Sequence, residues 1–360
     1  MELCLKRLGN YIKEVDDRNK DGAVLELLGV SITKEFIPSV ANTVGTDLAK
    51  YKIIRKGQFA CSLMQVSRDG GVAISLYKSD TPAIMSPAYF IFEVNNSELI
   101  AEYLELVFES AEFDREAVFY AIGGVRGTLS WEDFCDIEVD IPSIAEQDKT
   151  VRQYEAIADR IRVLEKINEK LKMLMTTIYN LKKDGMKLEL IALNDILEFH
   201  DAKRRPLSAE ERSLMKRNYP YYGAASIVDY VEDYLFEGTY ILVSEDGANI
   251  IDEWGHPLLQ VTYGQFWVNN HAHIVKGVNG FNEASIYVLL SQLNLQSIVT
   301  GAAQPKISQV SLKHFKVQIP SKEIIAKINR ELEPILNSII ANLKEIDALH
   351  LLQNSYLNYL

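Results

Sequence analysis

Gly123-Gly124-Val125-Arg126-Gly127-Thr128-Leu129-Ser130, then Phe134, then Ile137-Glu138-Val139-Asp140-Ile141-Pro142-Ser143, is a stretch that the chain writes twice. Its second version reads Gly301-Ala302-Ala303-Gln304-Pro305-Lys306-Ile307-Ser308, then Leu312, then Phe315-Lys316-Val317-Gln318-Ile319-Pro320-Ser321. The offset is about 178 residues with no gap, and a helix-like segment follows Pro-Ser both times. So long a period marks two copies of one folding unit, each carrying its own version of one site. Two diverged sites at one fixed separation suit a molecule that measures a distance.

Outward from the first copy, Ser143-Ile144-Ala145-Glu146 has the form of a capping box, with serine at the N-cap and glutamate three residues on. The helix it opens carries Ile157, Leu164, Leu171 and Ile178 seven apart, with Ile167, Leu174 and Leu181 between them. That spacing predicts a coiled-coil seam of three to four heptads. About 40 residues at 1.5 Å each make a rod of roughly 60 Å, ended by Asp184-Gly185. After the second copy, Leu332, Ile339, Ile346 and Leu360 form one row, and Ile328, Ile335, Leu349 and Tyr356 another. Pro334 is expected to bend or restart this helix, because proline removes a helix hydrogen bond.

Each copy is preceded by mixed structure. Gln58–Leu63 and Tyr89–Val94 read as strands, rich in aromatic and β-branched residues, and Asn96-Ser97 as the cap of a helix from Glu98 to about Phe113. In the second half, 236–243 and 268–275 read as strands, and Asn282 as the cap of a helix to about Gln296. The expectation is an α+β protein: two similar mixed α/β domains, 1–142 and 186–320, alternate with long helices, 143–185 and 321–360. Because the domains are copies, the helices are expected to pack as an antiparallel coiled coil, making the whole a pseudo-two-fold internal repeat.

The chain has 360 residues, enough for two cores, and a net charge of −12. Such a balance argues against nonspecific coating of nucleic acid. Residues 1–143 hold 14 basic and 23 acidic side chains, whereas 144–185 hold 9 and 7. The acid therefore lies in the first globular unit, which suits DNA binding with a basic partner's help. Cys4, Cys61 and Cys135 share no metal-ligand spacing and read as reduced, mostly buried thiols of a cytosolic protein. Met1–Asn10 lacks the apolar core of a signal peptide. The uncharged run Ala284–Pro305 holds Ser291, Gln292, Asn294 and Gln296, and so reads as a helix and loop rather than a membrane span.

Several motifs invite a catalytic reading and fail it. Asn218-Tyr219-Pro220-Tyr221-Tyr222 approaches the amide-and-aromatic pattern with which amino-methylating DNA enzymes hold a flipped base. Tyr219 replaces the first proline of that pattern, and no cofactor-binding glycine turn opens a βαβ unit upstream. The segment reads instead as the edge of a domain core, with Tyr221 and Tyr222 as candidates for a ring facing DNA. Gly123–Gly127 follows a helix and precedes a strand, the reverse of a nucleotide-binding turn. His271 and His273 stand two apart on a predicted strand, on one face, with no evident third metal ligand. No nucleophile, base and orienting group come together, so no catalytic residue and no metal site is expected.

Other residues suit DNA. Lys203-Arg204-Arg205 is a basic run ahead of Pro206, fit for phosphates or guanine. The second glycine loop offers Gln304 and Lys306, and its duplicate offers Arg126 and Thr128. Different side chains at equivalent places would read different half-sites.

The doubled order of glycine loop, strand, Pro-Ser and long helix resembles the specificity subunit of type I restriction–modification systems. Glu146-Gln147, Tyr219-Pro220-Tyr221-Tyr222-Gly223 and Val268-Asn269-Asn270-His271-Ala272-His273 add to the likeness, which covers essentially the whole chain. The resemblance implies two target-recognition domains, each reading half of a bipartite double-stranded DNA target, and paired helices that set the spacer. It further implies that two modification (methyltransferase) subunits dock on the helices and bring S-adenosylmethionine, that restriction subunits are further partners, and that this chain is non-catalytic and cytoplasmic. The second helix departs from the pattern, with Ile324-Ile325 in place of Glu-Gln. Two other readings stay open on sequence alone: a stand-alone methyltransferase or nuclease, and a protein-interaction scaffold without DNA binding.

Overall fold

A computed structural model of the chain describes residues 4–39, 45–121, 127–248, 250–301, 304–358 and 360. By contact it parts into two units, Met1–Ile161 with Ala348–Leu360, and Arg162–Asp347.

Among the described residues the first unit is built on three sheets. Leu5–Arg7 pairs antiparallel with Glu138–Asp140. An antiparallel sheet runs in the order Ile12–Glu14, Phe90–Val94, Gln58–Ser62, Ala73–Leu76. A mixed sheet runs Phe36–Pro38, Leu27–Val30, Ala83–Met85, Lys52–Ile54, its middle pair parallel. The core is aromatic: Phe59 stacks on Phe92 at 5.1 Å, and Phe108 meets both rings edge-on.

The second unit repeats this order strand for strand. Glu189–Ala192 pairs with Lys316–Ile319. The antiparallel sheet is Leu197–Phe199, Ala272–Gly277, Tyr240–Ser244, Leu259–Thr262. The mixed sheet is Ile227–Val231, Tyr219–Tyr222, Gln265–Val268, Phe236–Glu237, and its middle pair is again parallel. Matched strand orders, including the unusual parallel pair, are the structural form of the doubled sequence.

Several expected elements are divided. The helix expected over 98–113 becomes Ala101–Glu109 and Ala111–Ala121, because buried Ser110 turns its hydroxyl to the Val107 carbonyl and takes the Phe113 N–H. Asn96 makes a local turn onto the Glu98 N–H instead of capping the helix. The strand expected over 236–243 breaks at Gly238, whose φ is +111°, and its pieces join different sheets. The strand expected over 268–275 breaks where the Asn269 side chain accepts the His271 N–H, so His271 sits in a turn and does not share a strand face with His273. The Asn282 cap is present, its side chain accepting from Ser285 N–H, and that helix ends at Ser291.

The long helices run Ile144–Lys183 and Lys322–Leu357. Glu146 takes both the N–H and the hydroxyl of Ser143, the return half of the expected capping box, while the Glu146 N–H bonds the Ser143 carbonyl and not its hydroxyl. Buried Gln147 bonds Ile100 N–H, Glu98 carbonyl and Pro142 carbonyl, fastening the helix start to the domain. Within the second unit the helices pack antiparallel: Lys182 pairs with Glu331 at 2.7 Å, while Asn168, further back, meets Asn342, further on. Met175 and Tyr179 share one core with Ile325, Ile328, Leu332, Leu336 and Ile339, and Leu171 and Ile178 flank it. Ile157, Leu164 and Ile346 are buried as well.

The second row of the seam differs from the expected one. Ile167, Leu174 and Leu181 are 38%, 45% and 72% exposed, and the inward row is Ile161, Asn168 and Met175. A polar asparagine inside the seam hid this row, since four-residue and three-residue steps cannot be separated once one position is not apolar. The second helix passes through Pro334 without a stop. That proline is exposed, between buried Leu332 and Leu336, so the lost N–H falls on the solvent side. Among the described residues no helix is long and apolar enough to cross a membrane. Cys61 is buried, Cys135 half-buried and Cys4 exposed, against the expectation of mostly buried thiols.

Candidate nucleic-acid interface

In the second unit, the antiparallel register places the segments 201–205, 245–258 and 269–271 at one end of the sheet. The hairpin Val299–Thr300 with Lys306–Ile307 joins them there: Ile307 N–H bonds the Glu245 carbonyl at 2.8 Å, and Lys306 bridges to Asp246. The basic run and the second glycine loop, about a hundred residues apart in sequence, thus meet at Glu245. Arg204 Nη1 lies 2.6 Å from one carboxylate oxygen of Glu245, and Lys306 Nζ lies 3.0 Å from the other.

Beneath them stands His273, fully buried on the strand. Its Nδ1 is 2.6 Å from Asp201 and its Nε2 is 2.9 Å from the carbonyl of Ile307. Both ring nitrogens thus lie within hydrogen-bond distance of an oxygen. Burial pushes the Asp201 carboxyl up, but the bonds from His273 and Ile274 N–H and the charge of Arg204 outweigh it, holding the group below the usual carboxylate range. Glu245 is treated alike: burial raises it, and Arg204, Lys306 and His273 bring it lower than ordinary. Asp201, Glu245 and His273 have ligand atoms within 4.8 Å of one another. The Arg204 guanidinium, 2.6 Å from Glu245 and 3.5 Å from Asp201, pairs with both carboxylates of this group. Its charge compensates theirs, so the cluster acts as a buttress under the loop ends.

The candidate residues therefore separate. Lys203, Arg205 and Gln304 are exposed, and Lys306 is half in solvent while it pairs with Glu245. Arg204 is a clamp: besides Glu245 it donates to the carbonyls of Ala272, Asn270 and Asp201, leaving little of the guanidinium for a base. Tyr221 and Tyr222 are 1% and 5% exposed, which corrects the expectation that one of these rings faces DNA. The Tyr221 hydroxyl accepts from Leu207 N–H, and its ring lies under Arg212. His271 is half-buried and paired with Asp246 at 2.5 Å. Asp201 and Glu245 escaped the sequence reading. For Glu245 the one signal is an acid directly after a fully buried strand, Tyr240–Ser244.

The first unit repeats the backbone and changes the chemistry. Leu129 N–H bonds the Leu63 carbonyl at 2.9 Å, the counterpart of the Ile307–Glu245 bond. In the place of His273 stands Phe90, which pairs with Cys61 as His273 pairs with Val243. Phe90 stacks on Trp131 at 5.1 Å, and Trp131 on Phe134 at 5.3 Å. A ring stack stands here where ion pairs stand in the second unit. Thr128 is exposed there, and Arg126 lies outside the described residues.

Comparison with known proteins falls on this architecture. Across the whole chain the fold is that of a solved type I restriction–modification S subunit from M. genitalium, at a TM-score of 0.53 and 15% identity over 99% of this chain and 96% of that one. Residues 186–349 match the family model described as type I restriction modification DNA specificity domain. A type I restriction enzyme specificity subunit of Haemophilus influenzae is 30% identical over 152 residues, 42% of this chain and 38% of that protein. The EcoprrI specificity subunit of Escherichia coli is 25% identical over 169 residues, 45% and 40% of the two chains. The chain thus spans about two-fifths of the length of the curated relatives it matches. In sequence over residues 186–349, and in fold over its length, the chain is thus similar to type I restriction–modification specificity subunits.

Proposed function

We propose that the chain is the non-catalytic DNA-specificity subunit of a type I restriction–modification complex. Each recognition domain, 1–142 and 186–320, reads one half of a bipartite duplex target, and the helices 143–185 and 321–360 set the spacer. The observation that carries this reading is the meeting of the basic run and the second glycine loop at Glu245, at one end of a sheet, inside the segment that matches the specificity-domain family. Lys203, Arg205, Gln304 and Lys306 are the candidates toward DNA in the second domain, and Arg126 and Thr128 in the first.

Modification subunits supply S-adenosylmethionine and catalysis, restriction subunits complete the assembly, and the complex works in the cytoplasm. Exposed Ile167, Leu174 and Leu181, seven apart on one helix, support the docking of a partner there, since a stripe of large apolar side chains on a soluble face is a contact waiting for a surface. Methylome sequencing of a host that carries this chain with a modification subunit tests the reading, and two half-sites at one fixed spacer are expected. Incubation of the chain alone with duplex and labelled S-adenosylmethionine is the counter-test, because methyl transfer without a partner would overturn it.

A further inference from the structure

Trp254 is 64% exposed, while Trp267 is buried at 5% and Trp131 is held in the ring stack of the first unit. A single exposed apolar residue needs no explanation. This one sits on a turn built to present it. The Asp252 carboxylate accepts from Trp254 N–H at 2.9 Å and His256 N–H at 2.8 Å, and it bonds the His256 ring at 3.0 Å. Gly255 has φ +85°, and a Cβ there would lie 2.6 Å from Asn294 Oδ1, so only glycine fits. Asn294 clamps the turn by donating to the Trp254 carbonyl at 2.8 Å, and Leu295 N–H bonds the Gly255 carbonyl at 2.8 Å. The indole is thus held out by a rigid backbone, with His256 stacked beside it.

The turn belongs to the candidate interface. It closes the segment 245–258, which leaves the same sheet end as the basic run, and Gly247 N–H bonds the Pro305 carbonyl in the hairpin that carries Gln304 and Lys306. The matching segment of the first domain, 63–72, is four residues shorter and has no tryptophan. We infer that Trp254 is a DNA-contacting residue of the second recognition domain, placing an apolar face against base edges of its half-site. The inference rests on the DNA-reading function proposed above. Glu253 next to it is exposed and acidic, which fits contact with bases, where a carboxylate can accept from cytosine N4, and not with phosphates. Apolar contact in the grooves is made with thymine methyls or by wedging between base steps.

The test uses the full chain, with and without a co-expressed modification subunit, and duplexes selected from a randomised pool by the wild type. Emission of the wild type minus that of W254F isolates Trp254. Expected are quenching of this difference signal by duplex, a loss of about ten-fold or more in affinity for W254A with W254F retaining most of it, and an unchanged salt slope. Wild-type binding with no quenching and no loss in W254A would overturn the inference and leave the DNA-reading function standing. Quenching by the modification subunit in the absence of DNA would overturn it in favour of a protein contact. No duplex selected by the wild type in either form would bring down the reading on which it rests.

Discussion

Asn342 donates its side-chain N–H to the side-chain oxygen of Asn168 at 2.7 Å, in a helix pair whose other inward positions are apolar. Asn168 is 4% exposed. A polar pair inside such a seam weakens it and fixes register, because any slip leaves an amide facing aliphatic side chains.

Replacing Asn168 alone by leucine is expected to cost about 1–3 kcal/mol, since Asn342 then loses its partner. Replacing both by leucine is expected to restore stability to the wild-type level or above it. Urea unfolding of the two variants checks this: equal stability of single and double variant would mean that the bond carries nothing.

Arg204 and Lys306 both pair with Glu245, yet their variants should differ in kind. R204A strands two buried carboxylates and is expected to destabilise the second unit by about 3–5 kcal/mol. K306A leaves Arg204 in place and is expected to spare stability, weaken binding to all duplexes and lower the salt slope by about 1. Q304A is expected to relax one base position of one half-site, by about 1–3 kcal/mol. Thermal melts beside binding isotherms at several salt concentrations separate the three outcomes.

Acid should undo the buttress. Asp201 and Glu245 are held below the ordinary carboxylate range in the folded chain, so they contribute stability that is complete above that range, about pH 4. It is lost as pH falls through their lowered values. Stability of the second unit is expected to decline with acid below about pH 4, and D201N or E245Q should flatten the decline while lowering the plateau. A wild-type profile without slope in this range would contradict the network.

If the helices set the spacer, lengthening both by one heptad should lengthen the spacer and nothing else. Seven residues inserted after Ile167 and seven after Asn342 add about 10 Å and keep every face in phase. With one base pair per about 3.4 Å, the preferred spacer should grow by about three base pairs with both half-sites unchanged. Selection from a pool containing all spacers reads this directly, and a broad or unshifted preference would point to a flexible tether.

Sequence alone determined the repeat, the Ser143–Glu146 contact, the Asn282 cap, and one row of the seam, with Ile157 and Leu164 buried and Leu171 and Ile178 flanking the core. These depend on backbone periodicity and short-range hydrogen bonding, which neighbouring residues carry in full. Tertiary structure decided which polar groups are already taken. Arg204 reads as a DNA ligand until Glu245 and Asp201 close on it, and Tyr221 as an exposed ring until Leu207 and Arg212 cover it. It also turned Ile167, Leu174 and Leu181 outward, by setting Asn168 and Met175 in the row that faces the other helix. The physical reason is common to all three cases: burial and charge compensation are properties of pairs, and here the partners stand far apart along the chain.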